Sequence, residues 1–282
     1  MSFDIPKTIG KKKSLKIATM EGSSNLLDEA LGIFHDISSS SSSSLPSRSC
    51  VLIEDCVETS GAFVIHHILK RSLSSSASVI FVSLSHPFSH YDRILRKLGC
   101  NLAAHRDSGR FFFFDMLMLG CTDQSVGNIH TGGLIEFYGK IQKVVEDIIS
   151  SSENSKNITI MLDDFSLIEV AAKGSFNHSL DFLRYCYTLT SEFGCSLVIL
   201  NHEDIYLGEE SLTPIVQMEY LANILIKVEP LATGLATDVH GQLTVLNKGM
   251  IDKSRSSTNK VQNFHFKLKE NGSNCFYPGT RA

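Results

Sequence analysis

Residues 50–63, CVLIEDCVETSGAF, have the local order of a phosphate-binding loop: an apolar strand, a turn containing glycine and an apolar helix. A working loop follows G-x-x-x-x-G-K-[ST], in which the lysine reaches the β- and γ-phosphates and the hydroxyl binds magnesium. With Gly61 as the second glycine, Cys56 replaces the first, Ala62 the lysine and Phe63 the hydroxyl. Backbone amides at the helix start could still face an anion. We therefore predict a degenerate loop that binds no cofactor.

Three carboxylates follow or end predicted strands and could do chemistry. Asp163 ends an apolar strand, at the position of a Walker B aspartate, which holds the water shell of magnesium. The alternative is that Asp163 caps the next turn. Glu54 and Asp55 would lie close to Asp163 if their strands are neighbours, and paired carboxylates can bind a metal or share a proton. Solvation at the sheet edge, or bonds from backbone donors, is the alternative for this pair, and we expect no metal site.

The eleven histidines and seven cysteines form no recognisable catalytic or zinc motif. His66 and His67 lie together on the helix after the turn, whereas His86 and His90 straddle Pro87, which argues against helical zinc spacing. No G-x-S-x-G elbow is present. We therefore expect structural histidines, no catalytic residues and reduced thiols. Four cysteines are predicted to be small core residues: Cys50, Cys56, Cys186 and Cys195.

Basic residues form local groups that could contact a phosphate backbone. Arg93, Arg96 and Lys97 lie on one predicted helix. A second group lies in a polar segment and consists of Lys248, Lys253, Arg255 and Lys260. The ordinary alternative is a solvated face, but on one side of an assembly such groups would bind nucleic acid through its phosphates.

Composition limits the functional classes. The chain has 282 residues, 43% hydrophobic, with a net charge of −4 and a pI of about 6.3, which argues against a strongly basic nucleic-acid binder. The segment FFFFDMLML is too short to span a bilayer, and the N-terminal basic run has no apolar segment behind it. We expect a protein of the cytoplasm, with the nucleus as a second location, and no membrane partner.

Apolar strand patterns alternate with helical patterns from residue 50 to about residue 200, which predicts a parallel sheet covered on both faces. After about residue 220, four short segments separated by tight turns predict antiparallel strands appended to that sheet: ANILIKVEP, GQLTVLN, VQNFHFKLK and NCFYP. Residues 1–49 are predicted to be an N-terminal extension containing a flexible serine tract, Ser38–Ser44. Residues 50–282 are predicted to form the folded domain.

A parallel α/β core with phosphate-loop and Walker B positions, followed by antiparallel strands, describes a RecA-like ATPase fold. Within that class, the phrases HPFSHYDRILRKLGCNL (86–102), GRFFFFDML (109–117), LDDFSLIEV (162–170) and LATGLATDVHGQLTVL (231–246) resemble the family of the sixth subunit of the Elongator complex. The resemblance implies a RecA-like subunit without working Walker motifs. It also implies a ring of six chains, made of two copies each of this subunit and of Elongator subunits four and five. This ring joins the catalytic subunits of the complex.

The resemblance further implies binding of transfer RNA and a part in the modification of wobble uridine at C5, with the chemistry done by another subunit. The segment after Leu200 carries acidic residues, Glu203, Asp204, Glu209 and Glu210, which would repel phosphate. Two alternatives stay open. One is an ATPase with an unconventional phosphate site that uses a lysine from elsewhere in the chain. The other is a RecA-like recombination accessory protein that binds DNA.

Overall fold

The computed structural model describes residues 25–33, 44–117, 131–151, 157–172, 174–206, 213–234, 236–249 and 260–280. The strands within these residues are β1 Cys50–Asp55, β2 Ser78–Ser83, β3 Phe111–Asp115, β4 Ile158–Leu162, β5 Ser196–His202, β6 Ile224–Glu229, β7 Gly241–Asn247, β8 Lys260–Lys269 and β9 Gly272–Phe276. The helices are α1 Leu26–Ala30, α2 Ala62–Ser74, α3 Phe88–Lys97, α4 Leu102–Asp107, α5 Thr131–Ser150, α6 Phe165–Ala171, α7 Phe176–Phe193 and α8 Thr213–Leu221, with a 3₁₀ helix at Glu203–Tyr206.

The strands form one mixed sheet in the order β3-β2-β4-β5-β1-β6-β7-β8-β9. Strands β1 to β6 pair in parallel, and β7, β8 and β9 continue the sheet in antiparallel fashion. The predicted mostly parallel sheet with antiparallel strands at its C-terminal side is therefore confirmed. Because parallel strands all end at the same edge, the ends of β1, β4, β5 and β6 bring the candidate residues together.

The prediction of an antiparallel strand at β6 was wrong on one side only, because β6 pairs in parallel with β1 and in antiparallel fashion with β7. Val51 pairs in parallel with Ile224, whereas Ile226 on the other side pairs with Val245 of β7 in antiparallel fashion. Helix α8, which the sequence pattern did not predict, lies between β5 and β6. A helical crossover of this kind returns the chain to the starting edge of the sheet, which makes the next strand parallel.

Apolar side chains cover both faces of the sheet, as its continuous apolar strands predict. In β1, Val51 and Ile53 face a cluster that includes α1, α2 and α3, whereas Leu52 faces a second cluster that includes α5, α7 and α8. The four phenylalanines of β3 divide in the same way, because Phe111 and Phe113 pack with the first cluster and Phe112 and Phe114 with the second. Because side chains alternate between the two faces along each strand, apolar side chains pack against helices on both faces of the sheet.

Two helices begin or end at residues suited to that position. Helix α7 is followed by its C-cap Gly194, whose φ of 73° is the left-handed conformation that favours glycine. Helix α1 is capped at its start by Asn25, whose side chain accepts the amide of Leu27. No helix among the described residues has both the length and the apolar character needed to cross a membrane.

Helix α1 lies before the predicted domain boundary but packs into the same core as the sheet. Leu27 and Leu31 are fully buried there. The buried carboxylate of Asp28 bonds His67 at 2.7 Å and also pairs with Arg71, both on α2. The described part of the N-terminal segment is thus fastened to the folded domain by apolar burial and by charge. Most of the predicted flexible tract, residues 38–43, lies outside the described residues.

Candidate functional site

The turn between β1 and α2 is closed by a carboxylate of the chain itself. Asp55, the last residue of β1, accepts the backbone N–H of Gly61 at 2.6 Å, and the hydroxyl of Ser60 accepts that of Ala62 at 3.2 Å. These amides lie at the start of α2, where a phosphate would bind. An internal carboxylate therefore occupies the hydrogen-bonding position that an external anion would need.

Gly61 is required by close packing and not by a special backbone conformation. Its φ is −85°, which any residue can adopt. A Cβ at this position would lie 3.0 Å from Cγ2 of Ile53 and 3.3 Å from Cδ1 of Leu200. The glycine lets the turn approach β1 and β5 closely. Close packing therefore explains why this loop position is a glycine, and no bound phosphate is needed to explain it.

The other positions of the degenerate loop serve the fold. Phe63 turns its ring toward Phe266 of β8, with ring centroids 4.6 Å apart. The described structure places this aromatic contact where a hydroxyl would hold magnesium. Cys56 forms an isolated backbone bridge with Thr59, and its side chain is half-buried rather than in the core. Ala62 is the first residue of α2.

A histidine cation lies beside the loop, between two aspartates. His202, at the end of β5, places Nδ1 2.5 Å from Asp55 and Nε2 3.3 Å from Asp164. Hydrogen bonds to Asp164 and then Asp55 outweigh burial and raise the pKa of His202 to about 10. The imidazolium is therefore charged at neutral pH. It neutralises the Asp55 carboxylate that closes the turn.

The lysine of β6 that reaches this edge of the sheet is held by acidic side chains. Nζ of Lys227 lies 3.0 Å from both Glu54 and Glu219 and 3.9 Å from Glu203. Burial raises the pKa of Glu54 to about 7, against the opposing effect of Lys227. Burial lowers the pKa of Lys227, but Glu219 and Glu54 outweigh it, so that pKa is raised. Lys227 is thus paired with carboxylates. It is therefore not available as the lysine that an ATPase with an unconventional phosphate site would use.

Asp163 fastens the connection between β2 and α3. Its carboxylate accepts the amide of Leu84 at 2.7 Å, the hydroxyl of Ser85 at 2.8 Å and that of Ser83 at 3.0 Å, and it also accepts the hydroxyl of Tyr91. Burial, and after it Asp163, raises the pKa of Tyr91. These donors use the lone pairs that a Walker B aspartate would turn toward a metal's water shell. The contacts give Asp163 a structural role across two neighbouring strands.

The predicted carboxylate pairing is replaced by a different one. Asp55 is joined through His202 to Asp164, and Glu54 faces Lys227, whereas Asp163 bonds the β2–α3 connection. Asp164 caps α6 by accepting the amide of Ser166 at 3.1 Å. Among the described residues, no group of three or more histidine, cysteine, aspartate or glutamate side chains could hold a metal ion.

The histidines near the β2–α3 connection pack as aromatic rings. His86 and His90 stack with centroids 4.0 Å apart, and the buried His66 meets Tyr91 edge-on at 6.0 Å. Burial lowers the pKa of His66 to about 4, with His90 and His86 adding to the effect.

Three of the four cysteines predicted for the core are buried: Cys50, Cys186 and Cys195.

The predicted RNA contacts lie on separate elements. Arg93, Arg96 and Lys97 are exposed on α3, and Nε of Arg96 pairs with Asp92 at 2.8 Å. Lys260 is exposed at the start of β8, with Nζ 3.7 Å from Glu29 of α1. Two further predicted contacts, Lys253 and Arg255, lie outside the described residues.

A family model described as Elongation complex protein 6 matches residues 34–270. The chain belongs to this family. The Elongator complex protein 6 of Mus musculus is 29% identical over 237 residues, covering 79% of this chain and 88% of the relative. That of Homo sapiens is 26% identical over 225 residues, covering 75% and 83%. That of Dictyostelium discoideum is 22% identical over 320 residues, covering 84% and 93%.

Two solved structures from Pyrococcus horikoshii share the fold of this family member. A KaiC-like protein superposes with a TM-score of 0.57 at 15% identity, covering 82% of this chain and 90% of the other. An uncharacterized protein in complex with an unknown peptide superposes with a TM-score of 0.62 at 14% identity, covering 90% and 97%. The predicted RecA-like fold is therefore confirmed.

Sequence reasoning missed three residues that define the site: Asp164, His202 and Lys227. Each lies at or near the end of a strand, or directly after one, at the edge where β1 ends. Sites in parallel α/β sheets usually lie at the carboxyl ends of the strands, so charged residues at these strand ends could have been recognised as candidates from the sequence. It could not have paired them, because the order β4-β5-β1-β6 does not follow the sequence.

Proposed function

We propose that this chain is a non-catalytic subunit of the Elongator accessory ring, assembled with subunits four and five in two copies each. The ring would join the catalytic Elongator subunits and support transfer-RNA binding and C5 modification of wobble uridine. Membership of the Elongation complex protein 6 family supports this role. The RecA-like fold supports it as well, since such subunits commonly associate through broad faces.

The observation that carries the non-catalytic assignment is the Asp55–Gly61 hydrogen bond of 2.6 Å. Phosphoryl transfer depends on cations and backbone donors aimed at the phosphates. Here the donor is occupied, and the described cations beside it, His202 and Lys227, are held by Asp55, Asp164, Glu54 and Glu219. We propose no cofactor and no metal for this site.

The part that this subunit would take in RNA binding is contact with phosphates. Arg93 and Lys97 are one turn apart on α3 and exposed. Such contacts position an RNA without reading its bases. The expected locations, the cytoplasm and the nucleus, are those in which a transfer-RNA modifying complex would meet its substrate.

Co-expression of the full chain with Elongator subunits four and five tests the assembly, and native mass spectrometry gives its composition. We expect six chains, two of each kind. A pull-down that recovers recombinase partners rather than Elongator subunits would support the recombination alternative. ATP turnover by the purified chain would support the ATPase alternative.

A further inference from the structure

Four large apolar side chains are exposed around the edge of the sheet where the degenerate loop lies. Val57 is 89% exposed, Ile205 49%, Val216 57% and Tyr220 86%. Val57 follows β1, Ile205 lies in the 3₁₀ helix after β5, and Val216 and Tyr220 lie on α8. We call these four residues the edge patch. Single exposed apolar residues are ordinary, but grouped ones mark interaction sites.

Described contacts hold these segments together. The amide of Val57 donates to Asp204 at 3.0 Å, which fixes the loop after β1 against the 3₁₀ helix. The 3₁₀ helix in turn contacts α8. Glu203 and Glu219 both lie within 4 Å of Nζ of Lys227, at 3.9 and 3.0 Å, so the two elements converge on one side chain.

Helix α8 buries one face and leaves the other open. Ile215 and Met218 are buried in the core, whereas Val216 and Tyr220 are exposed and lie four residues apart, on the same side of the helix. The fold gains nothing by exposing this pair to water, since each side chain could stabilise the protein only if covered.

The charges around the edge patch are mainly negative. Glu58, Glu203, Asp204 and Glu219 carry carboxylates beside it, and Lys227 lies among them with the buried Glu54. Lys248 donates to the backbone carbonyl of Glu219. This excess of carboxylates repels a phosphate backbone and favours a basic protein surface. A symmetric pairing with a second copy would place acidic rim against acidic rim.

We propose that the edge patch is a docking surface for a neighbouring protein subunit that presents apolar side chains flanked by arginine or lysine. The proposal rests on the proposed function, because it names the surface through which the chain would enter its assembly. Val57 and Tyr220, the most exposed members, would fill pockets of the partner, and the carboxylates would meet its cations at the rim.

The test uses the full chain co-expressed with Elongator subunits four and five, with the apparent Kd of the assembly measured by mass photometry over a dilution series. We expect the double variant V216E/Y220E to raise the Kd at least about tenfold, as for residues at the centre of an interface. Val261, 58% exposed on β8, provides the matched control, and V261E is expected to leave the Kd within about twofold. Circular dichroism and thermal melting check that each variant is folded.

A second variant gives an independent measurement. E58K changes an exposed side chain outside the core, so it leaves folding intact, and it is expected to raise the Kd and to reduce its dependence on salt. An unchanged Kd for both V216E/Y220E and E58K, in a parent chain that assembles, would overturn the docking surface alone. A parent chain that never joins subunits four and five would overturn the proposed function, and this surface with it. Dimers of the parent chain that V216E/Y220E abolishes would overturn the stated occupant.

Discussion

The carboxylate of Asp55 accepts the backbone N–H of Gly61 at 2.6 Å, across the turn that joins β1 to α2. The same carboxylate contacts His202, so one side chain closes the turn and holds the neighbouring strand end. A loop that would otherwise need a phosphate to satisfy its donors is satisfied from within. The degenerate loop is thus a stable structural element in its own right.

Removal of the Asp55 carboxylate is expected to destabilise the protein. D55A leaves a buried amide without an acceptor and His202 with one partner fewer, a loss of about 2–4 kcal/mol in the free energy of unfolding. Urea denaturation measures this loss. The control is D238A, which removes an exposed partner of Lys267 at 3.1 Å and is expected to change stability by less than about 1 kcal/mol. Equal losses in the two variants would contradict the structural role of Asp55.

Stability is expected to fall on the alkaline side because of His202. The pKa of His202 is raised in the folded protein from 6.5 to about 10, so the folded state binds the proton more tightly than the unfolded state. The stabilisation is fully present below pH 6.5 and is lost as the pH rises toward 10. Thermal melts over this window measure the slope.

The matched variant for this pH dependence is H202Q, which keeps a polar side chain without the titrating proton. Its melting temperature is expected to be lower at neutral pH and to vary less between pH 6.5 and 10 than that of the parent. H178Q, which changes a histidine at the start of α7, is the control and is expected to retain the parental slope. The same slope in H202Q and the parent would show that another group titrates.

Removal of the Asp163 carboxylate is expected to lower the free energy of unfolding. D163A leaves the buried donors of Leu84 and Tyr91 without their Asp163 acceptor, and a loss of about 3 kcal/mol is expected. Guanidinium unfolding measures it, with D181A, which removes an exposed partner of Arg184, as the control. D163N, which keeps one acceptor oxygen, is expected to lose less. Unchanged stability in D163A would return this residue to the list of candidate metal-site residues.

Restoration of the two missing side chains is not expected to create an ATPase. In A62K/F63T the Asp55 carboxylate still occupies the Gly61 amide, and Cys56 still lacks the freedom of the first glycine. The variant also loses the ring contact between Phe63 and Phe266, about 1–2 kcal/mol of stability. Phosphate release measures turnover, and A62K alone separates the added lysine from the lost ring. ATP turnover by A62K/F63T at a rate typical of ring ATPases would contradict the conclusion that Asp55 and Cys56 prevent phosphate binding in this loop.

Individual basic residues of α3 are expected to contribute unequally to transfer-RNA binding by the assembled ring. R93A and K97A should each lower the salt slope of the affinity by about one, because each removes one phosphate contact. R96A should have a smaller effect, since Arg96 is paired with Asp92 at 2.8 Å. Filter binding at several salt concentrations, with R184A on α7 as the control, measures these slopes. Slopes unchanged in R93A and K97A would move the RNA path to another part of the ring.

The sequence by itself determined the class of fold and the state of the phosphate loop. Continuous apolar strands require cover on both faces, and a strand followed by a glycine turn and an apolar helix places Gly61, Ala62 and Phe63 at a helix start. These are local consequences of residue type and spacing. Even the alternation of the four phenylalanines from Phe111 between two faces follows from the period of a strand.

Only the tertiary structure decided what fills the site. The order β4-β5-β1-β6 brings together residues far apart in the chain, so Asp55 meets His202, and Glu54 meets Lys227. Asp163, by contrast, is turned to the β2–α3 connection by donors from a neighbouring strand. The direction of β6 likewise depended on the α8 crossover. Pairing between distant strand ends follows from sheet order, and sheet order is fixed by packing of the whole chain, which no local pattern contains.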